Sequence, residues 1–316
     1  TFEVIHNGKT DEYHSKRIGF VQSSVENKSF LINGSPVIIR GINRHENNPY
    51  NGRYMTVEQI YNDLSVIKSA NINAVRCSHY TNNPAFYEYA SELGIYVMDE
   101  ADLESHGCGI TGDQGYLNKD PEWLDAFMDR VVRMTECNKN ETCVVIWSVG
   151  NEIGQGENAD KCIKYLRSRE DLKPAVGGQP SSFIGCGYPN VKKLSRILEE
   201  SSEDDRPICL IEYAHAMGNS PGSLEAIWNF VLDNPQFCGG YVWEFRNHGF
   251  QKSNPDGSID YMYGGDFHDD NHWSNFTLDG YLTSDGTPKP TFSDLKYIYA
   301  PLRMFLDGNL LTIKNL

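Results

Sequence analysis

The run Cys143-Val144-Val145-Ile146-Trp147-Ser148-Val149-Gly150-Asn151-Glu152 is apolar and β-branched until it ends on a glutamate. A second run, Ile208-Cys209-Leu210-Ile211-Glu212-Tyr213-Ala214-His215-Ala216-Met217-Gly218-Asn219-Ser220, also carries a glutamate where the apolar residues give way to small and polar ones. Apolar runs this short read as strands covered on both faces, as in a parallel sheet. In α/β barrels the chemistry sits at the C-terminal ends of such strands. Two carboxyl groups placed there suit paired-carboxylate catalysis of the kind glycoside hydrolysis uses. Taken singly, either glutamate could equally be a structural ion-pair partner.

Working outward, short apolar strands alternate with helical segments from Pro36 to Phe245. The strands expected are Val37–Ile42, Ala74–Ser78, Ile95–Glu100, Val144–Val149, Ala175–Gly178, Phe183–Gly187, Ile208–Tyr213 and Gly240–Phe245. Helix signals lie between them. Thr56 and Gln59 form a capping box ahead of the stripe Val57, Ile60, Tyr61, Leu64 and Ile67. Pro84 opens a second helix, and Asp120-Pro121 places a cap and an N1 proline before a third. The alternation specifies an α/β fold, a (β/α)8 TIM barrel spanning about 36–300.

The ends follow another pattern. Residues 1–35 alternate apolar and polar positions (Phe2, Val4, Ile18, Phe20, Phe30, Ile32) and carry an Asn33-Gly34 turn. Residues 301–316 read as a hairpin around Asp307-Gly308. An isolated hairpin is marginal in water, so both ends are expected to be edges of further β-domains. The first residue is Thr1, which fits a processed or excised chain.

Composition bounds the function. The 316 residues are 39% hydrophobic and 22% charged, an ordinary globular balance. A net charge of −15 argues against nucleic acid or an anionic membrane as partner. No apolar stretch approaches the roughly 18 to 20 residues of a membrane span, and no signal segment opens the chain. Eight cysteines are scattered without metal-type pairing, which fits reduced thiols in the cytoplasm.

Five motifs, in order, resemble the lactose-cleaving β-galactosidases of glycoside hydrolase family 2. They are Arg40-Gly41-Ile42-Asn43-Arg44-His45-Glu46, Asn73 to Tyr80, Asp99 to Gly107, and the two glutamate runs. Tyr263-Gly264-Gly265-Asp266-Phe267 continues the match. The resemblance covers the chain from about Gly19 onward and implies a catalytic barrel flanked by β-sandwich domains, oligomeric when whole. It implies a retaining hydrolase of β-galactosides in which Glu212 is the nucleophile and Glu152 the acid/base. Such an acid needs a raised pKa. Glu104 and His106, with Glu152, would hold Mg²⁺; without the resemblance, Glu104 and His106 read as a strand-end ion pair and a surface histidine. The resemblance further assigns sugar or transition-state contacts to His45, His79, Asn151 and His215, a platform to Trp243 and a hydrogen bond to the nucleophile to Tyr188. It implies a cis peptide after Trp243. A Na⁺ site would use Phe276 and Asp279.

This chain departs from its relatives at three places. Ile153 stands where they carry serine, and Asp279 where the Na⁺ site has asparagine. A substrate-binding aspartate belongs in them to an N-terminal domain. An isolated barrel is therefore expected to be weak or inactive. The competing expectations are a family 2 glycosidase of other specificity, a β-glucuronidase or β-mannosidase, or a catalytically silent carbohydrate-binding fragment.

Overall fold

Burial on both faces selects the apolar, β-branched runs as strands, and all eight assemble into one parallel sheet. The computed structural model describes residues 1–169, 173–218 and 221–315. Asn219 and Ser220, which close the second glutamate run, lie outside the described residues. The barrel strands are β1 (Ile39–Arg44), β2 (Ala74–Cys77), β3 (Tyr96–Glu100), β4 (Val144–Ser148), β5 (Ala175–Val176), β6 (Ile184–Gly187), β7 (Ile208–Tyr213) and β8 (Phe237–Val242). Their order is β5-β4-β3-β2-β1-β8-β7-β6, all parallel. Between β5 and β6 the circle closes through a single backbone bond, Ser182 N–H to the Ala175 carbonyl at 2.8 Å.

Seven helices of nine or more residues wrap the sheet among the described residues: α1 (Val57–Ser69), α2 (Pro84–Leu93), α3 (Leu124–Asn138), α4 (Glu157–Ser168), α5 (Val191–Glu200), α6 (Leu224–Asp233) and α7 (Pro290–Ile298). The α1 capping box forms as read: Thr56 Oγ1 accepts from Gln59 N–H and Gln59 Oε1 accepts from Thr56 N–H. Losing such a cap costs about 1 kcal/mol. Ile60, Leu64 and Ile67 face the sheet fully buried, each contributing roughly 1.5–3 kcal/mol.

Residues 177–183 join β5 to β6 as a loop with no helix, and Gly178 lies so close to α4 that a Cβ there would stand 2.7 Å from the Ala159 carbonyl oxygen. The eighth strand was expected at Gly240–Phe245 but lies three residues earlier. Glycine ordinarily weakens a strand, yet Gly239 and Gly240 sit where neighbouring backbone leaves no room. A Cβ on Gly239 would meet Ile39 O at 2.1 Å. Trp243 therefore stands one residue past the strand, still on the same rim.

The three short strands Ser23–Glu26, Ser29–Ile32 and Ser35–Pro36 form a separate sheet. Its Phe30 and Ile32 pack with Ile39, Met98, Val145 and Cys209, closing the N-terminal end of the barrel. Strands Phe2–His6 and Lys9–His14 form an exposed hairpin, while Ile18 and Phe20, expected to lie in strands, fall outside regular structure. The final hairpin pairs Leu302–Asp307 with Leu310–Asn315. Its two-residue turn is Gly308-Asn309, one position beyond the Asp-Gly read from sequence. No helix among the described residues is long and apolar enough to cross a membrane.

Candidate active site

The C-terminal ends of β1, β2, β4, β7 and β8 deliver His45, His79, Glu152, Glu212 and Trp243 to one mouth of the barrel. Glu212, inside β7, is held from three sides. Arg76 Nη1 donates to its Oε1 at 2.6 Å, the Tyr188 hydroxyl donates to its Oε2 at 2.8 Å, and His79 Nε2 stands 3.9 Å from Oε1. Burial, then the Glu212 charge, drive the Tyr188 phenol far up, so it keeps its proton and acts as donor.

Arg76 is the hub that sequence reasoning missed. It is buried, and its remaining N–H groups donate to Glu100 Oε2, Asn43 Oδ1 and Asn151 Oδ1 at 2.9–3.0 Å. Burial alone would push Glu100 up, but Arg76, His79 and Ser148 together hold it down at about 2. An ionised Glu100 in turn fixes the His79 ring, 2.7 Å from its Nδ1. Removing one partner from such a buried pair costs roughly 3–5 kcal/mol. The signal was present: an arginine in Ala74-Val75-Arg76-Cys77 is affordable only when paired.

Glu152 occupies a different setting. It follows β4, takes a left-handed φ of 45° and is about half exposed. Tyr188 and Ala214 also have positive φ, so strained non-glycine residues gather at this rim. His106 Nδ1 hydrogen-bonds the Glu152 carboxylate. Asn151 Nδ2 donates to Glu104 Oε2 at 2.9 Å, and the ligand atoms of Glu104, His106 and Glu152 all lie within 4.8 Å of one another. Two carboxylates and one imidazole converging on exposed space fit a small divalent cation. Asn151, bridging Arg76 and Glu104, links the two glutamate clusters. Beside Glu152 a cavity of about 490 Å³ opens towards Gly177, Gln179 and Gly185, where the barrel lacks its helix.

Aromatic rings complete the mouth. Trp243 lies nearly parallel to His79 (centroids 5.3 Å, 13°) and faces His215 at 6.4 Å. His45 meets His79, Trp243 and His248 edge-on. Burial, then the neighbouring histidines, push His45 well down, so it is neutral near pH 7. The peptides after Ser78 and Trp243 are cis.

The sequence of residues 23–304 matches the family described as "Glycosyl hydrolases family 2, TIM barrel domain". The chain belongs to glycosyl hydrolase family 2. It is 35% identical to a β-galactosidase of Pseudoalteromonas haloplanktis over 95% of the chain, and 36% identical to one of Arthrobacter sp. (strain B7) over 96%. It spans only 30% and 32% of those proteins. Among solved structures, the apo β-glucuronidase of Ruminococcus gnavus superposes with a TM-score of 0.72, covering 94% of this chain and 56% of that one. At 18% identity this likeness carries the fold alone.

The family 2 resemblance also implies Na⁺ at the Phe276 carbonyl and Asp279, and one oxygen of Asp279 is already engaged within the protein. Asp279 is 3% exposed; its Oδ2 accepts from Trp243 Nε1 at 2.7 Å and lies 3.7 Å from His215 Nε2. Burial, then the adjacent Glu244, raise its pKa, and burial likewise raises that of Glu244. Asp279 Oδ1 has no hydrogen-bond partner among the described residues, and Glu244 Oε2 faces His248 Nε2 at 3.2 Å. Phe276 projects an exposed ring, 6.0 Å from that of His215.

Proposed function

We propose that this family 2 barrel is the catalytic domain of a retaining β-galactosidase, releasing terminal β-D-galactosyl residues by double displacement. The observation that carries the reading is the unlike treatment of the two glutamates at one mouth. Glu212 sits fixed by Arg76 and Tyr188, as an attacking carboxylate should. Glu152 is half exposed beside open space, where a leaving group and then water could reach it.

In this mechanism Glu212 attacks the anomeric carbon while Glu152 protonates the departing oxygen. Glu152 then takes a proton from water, which displaces Glu212 and retains configuration. Arg76 and Tyr188 aim the nucleophile and disperse its charge. His79, anchored by Glu100, and neutral His45 offer N–H groups to charge developing on the sugar. Asn151 lies in reach of a sugar hydroxyl, and His215 and Trp243 line the far wall. Glu104, His106 and Glu152 would hold Mg²⁺, whose charge would tune the acidity of Glu152.

Galactose is favoured over glucuronic acid or mannose because the relatives at 35–36% identity are named β-galactosidases, whereas the glucuronidase likeness reaches only the fold. A cytoplasmic enzyme fits its eight free thiols. Further domains, and an oligomer of the whole protein, fit a chain spanning under a third of its relatives. We expect the isolated barrel to turn over slowly. The test is hydrolysis of chromogenic β-galactoside, β-glucuronide and β-mannoside. Preference for the galactoside supports the assignment; preference for either other sugar overturns it.

A further inference from the structure

Four rings stand on the sugar side of the mouth, and beneath them lie two carboxyl groups that the catalytic scheme does not use. One oxygen of Asp279 accepts the Trp243 indole N–H at 2.7 Å and lies at ion-pair distance, 3.7 Å, from His215 Nε2. Glu244 stands 3.2 Å from His248 Nε2, and the His248 ring meets His45 edge-on with centroids 5.0 Å apart. Trp243 in turn is the surface against which His79 lies. The main chain that carries both carboxyls is anchored. Glu244 is 1% exposed, and its carbonyl accepts from Tyr281 N–H at 2.8 Å. The backbone N–H of Glu244 points to the carbonyl of Asp279 at 3.3 Å.

A flat indole has no intrinsic preference for the plane a sugar face needs; its N–H partner selects that plane. An imidazole has the same freedom, and the tautomer it presents follows from the bond at its other nitrogen. We propose that Asp279 and Glu244 are a positioning pair for the sugar-binding rings, Asp279 setting Trp243 and His215, Glu244 setting His248 and through it His45. The proposal deepens the galactosidase reading and relies on it only for the identity of the sugar.

The test combines kinetics with NMR of the chain selectively labelled at tryptophan and histidine. In the wild type the Trp243 indole N–H should be protected from exchange and indifferent to replacing KCl with NaCl at equal ionic strength. Asp279→Ala should lose that protection, shift the His215 ring signals and raise the galactoside KM roughly tenfold or more while kcat changes about threefold or less. Asp279→Asn keeps an acceptor for the indole but not the charge facing His215. It should retain the Trp243 signal, shift His215 and raise KM less.

Unchanged Trp243 and His215 signals in Asp279→Ala would overturn the proposal, as would a saturable Na⁺-specific shift in the wild type. Should the alanine variant not fold, an unmoved His215 signal in Asp279→Asn overturns it instead. The resonances decide the positioning claim even if galactosides are not the substrate, so a failed sugar assignment shows up separately, in the kinetic arm alone.

Discussion

The two glutamates divide the active site into a finished half and an open half. Around Glu212 every contact comes from barrel strands or their immediate ends, and its side chain is 16% exposed. Around Glu152 the contacts come from Ser105, His106 and Gln114, in the segment that follows β3; its side chain is 47% exposed, and its histidine partner is 65% exposed. A nucleophile must be aimed before substrate arrives, which buried, directional donors achieve. An acid/base must admit a leaving group, then water, and keep a proton to exchange. The contrast teaches that the barrel strands hold the Glu212 carboxylate fixed, while Glu152 stays open to solvent.

Each prediction probes one side of that contrast. Glu212→Gln removes the aimed nucleophile and should lower kcat on the order of 10⁴-fold or more for every galactoside. Activity undiminished by that change would end the assignment. Glu152→Gln should cost about 10²–10⁴-fold with alkyl leaving groups and much less with nitrophenyl ones, which leave unprotonated. An equal loss for both classes would contradict its role as acid. Chelation acts only on the open half. It should weaken turnover about 10–100-fold, restored by Mg²⁺, and Glu104→Gln should abolish that response. A variant that still answers to Mg²⁺ would remove Glu104 from the cation site.

The smallest effect belongs to the finished half and reads as stability. Glu100 titrates near 2 when folded against about 4.5 when free. A depressed carboxylate contributes stability present above its unfolded pKa and lost as pH falls towards the folded one. Urea unfolding should therefore show a loss of about 3 kcal/mol at most between pH 4.5 and 2 from this group. Glu100→Gln should lack that component of the slope; an identical slope would show that Glu100 is not held as described.

The same division separates what the sequence made legible from what it hid. Eight strands, and the helices opened by Thr56, Pro84 and Asp120-Pro121, were readable because burial on both faces leaves apolar runs between caps and turns. The eighth strand slipped by three residues because Gly239 and Gly240 answer to the close approach of Ile39 and Leu210, a demand invisible along the chain. Glu152 and Glu212 announced themselves by breaking apolar runs. Arg76, Glu100, Glu244 and His248 did not, since a buried charge is explained only by its partners in space, which for Arg76 and Glu100 lie 21 to 136 residues away in the chain. Asp279 was legible as a departure, but its bond to Trp243 could be learned only in three dimensions.

The central claim is that Glu212 forms the covalent bond to the sugar. A 2-fluoro galactosyl substrate with a good leaving group should inactivate the protein with one equivalent of label, and peptide mass mapping should place it on Glu212. A label on Glu152, or reaction without a trapped intermediate and with inverted product, would contradict the account.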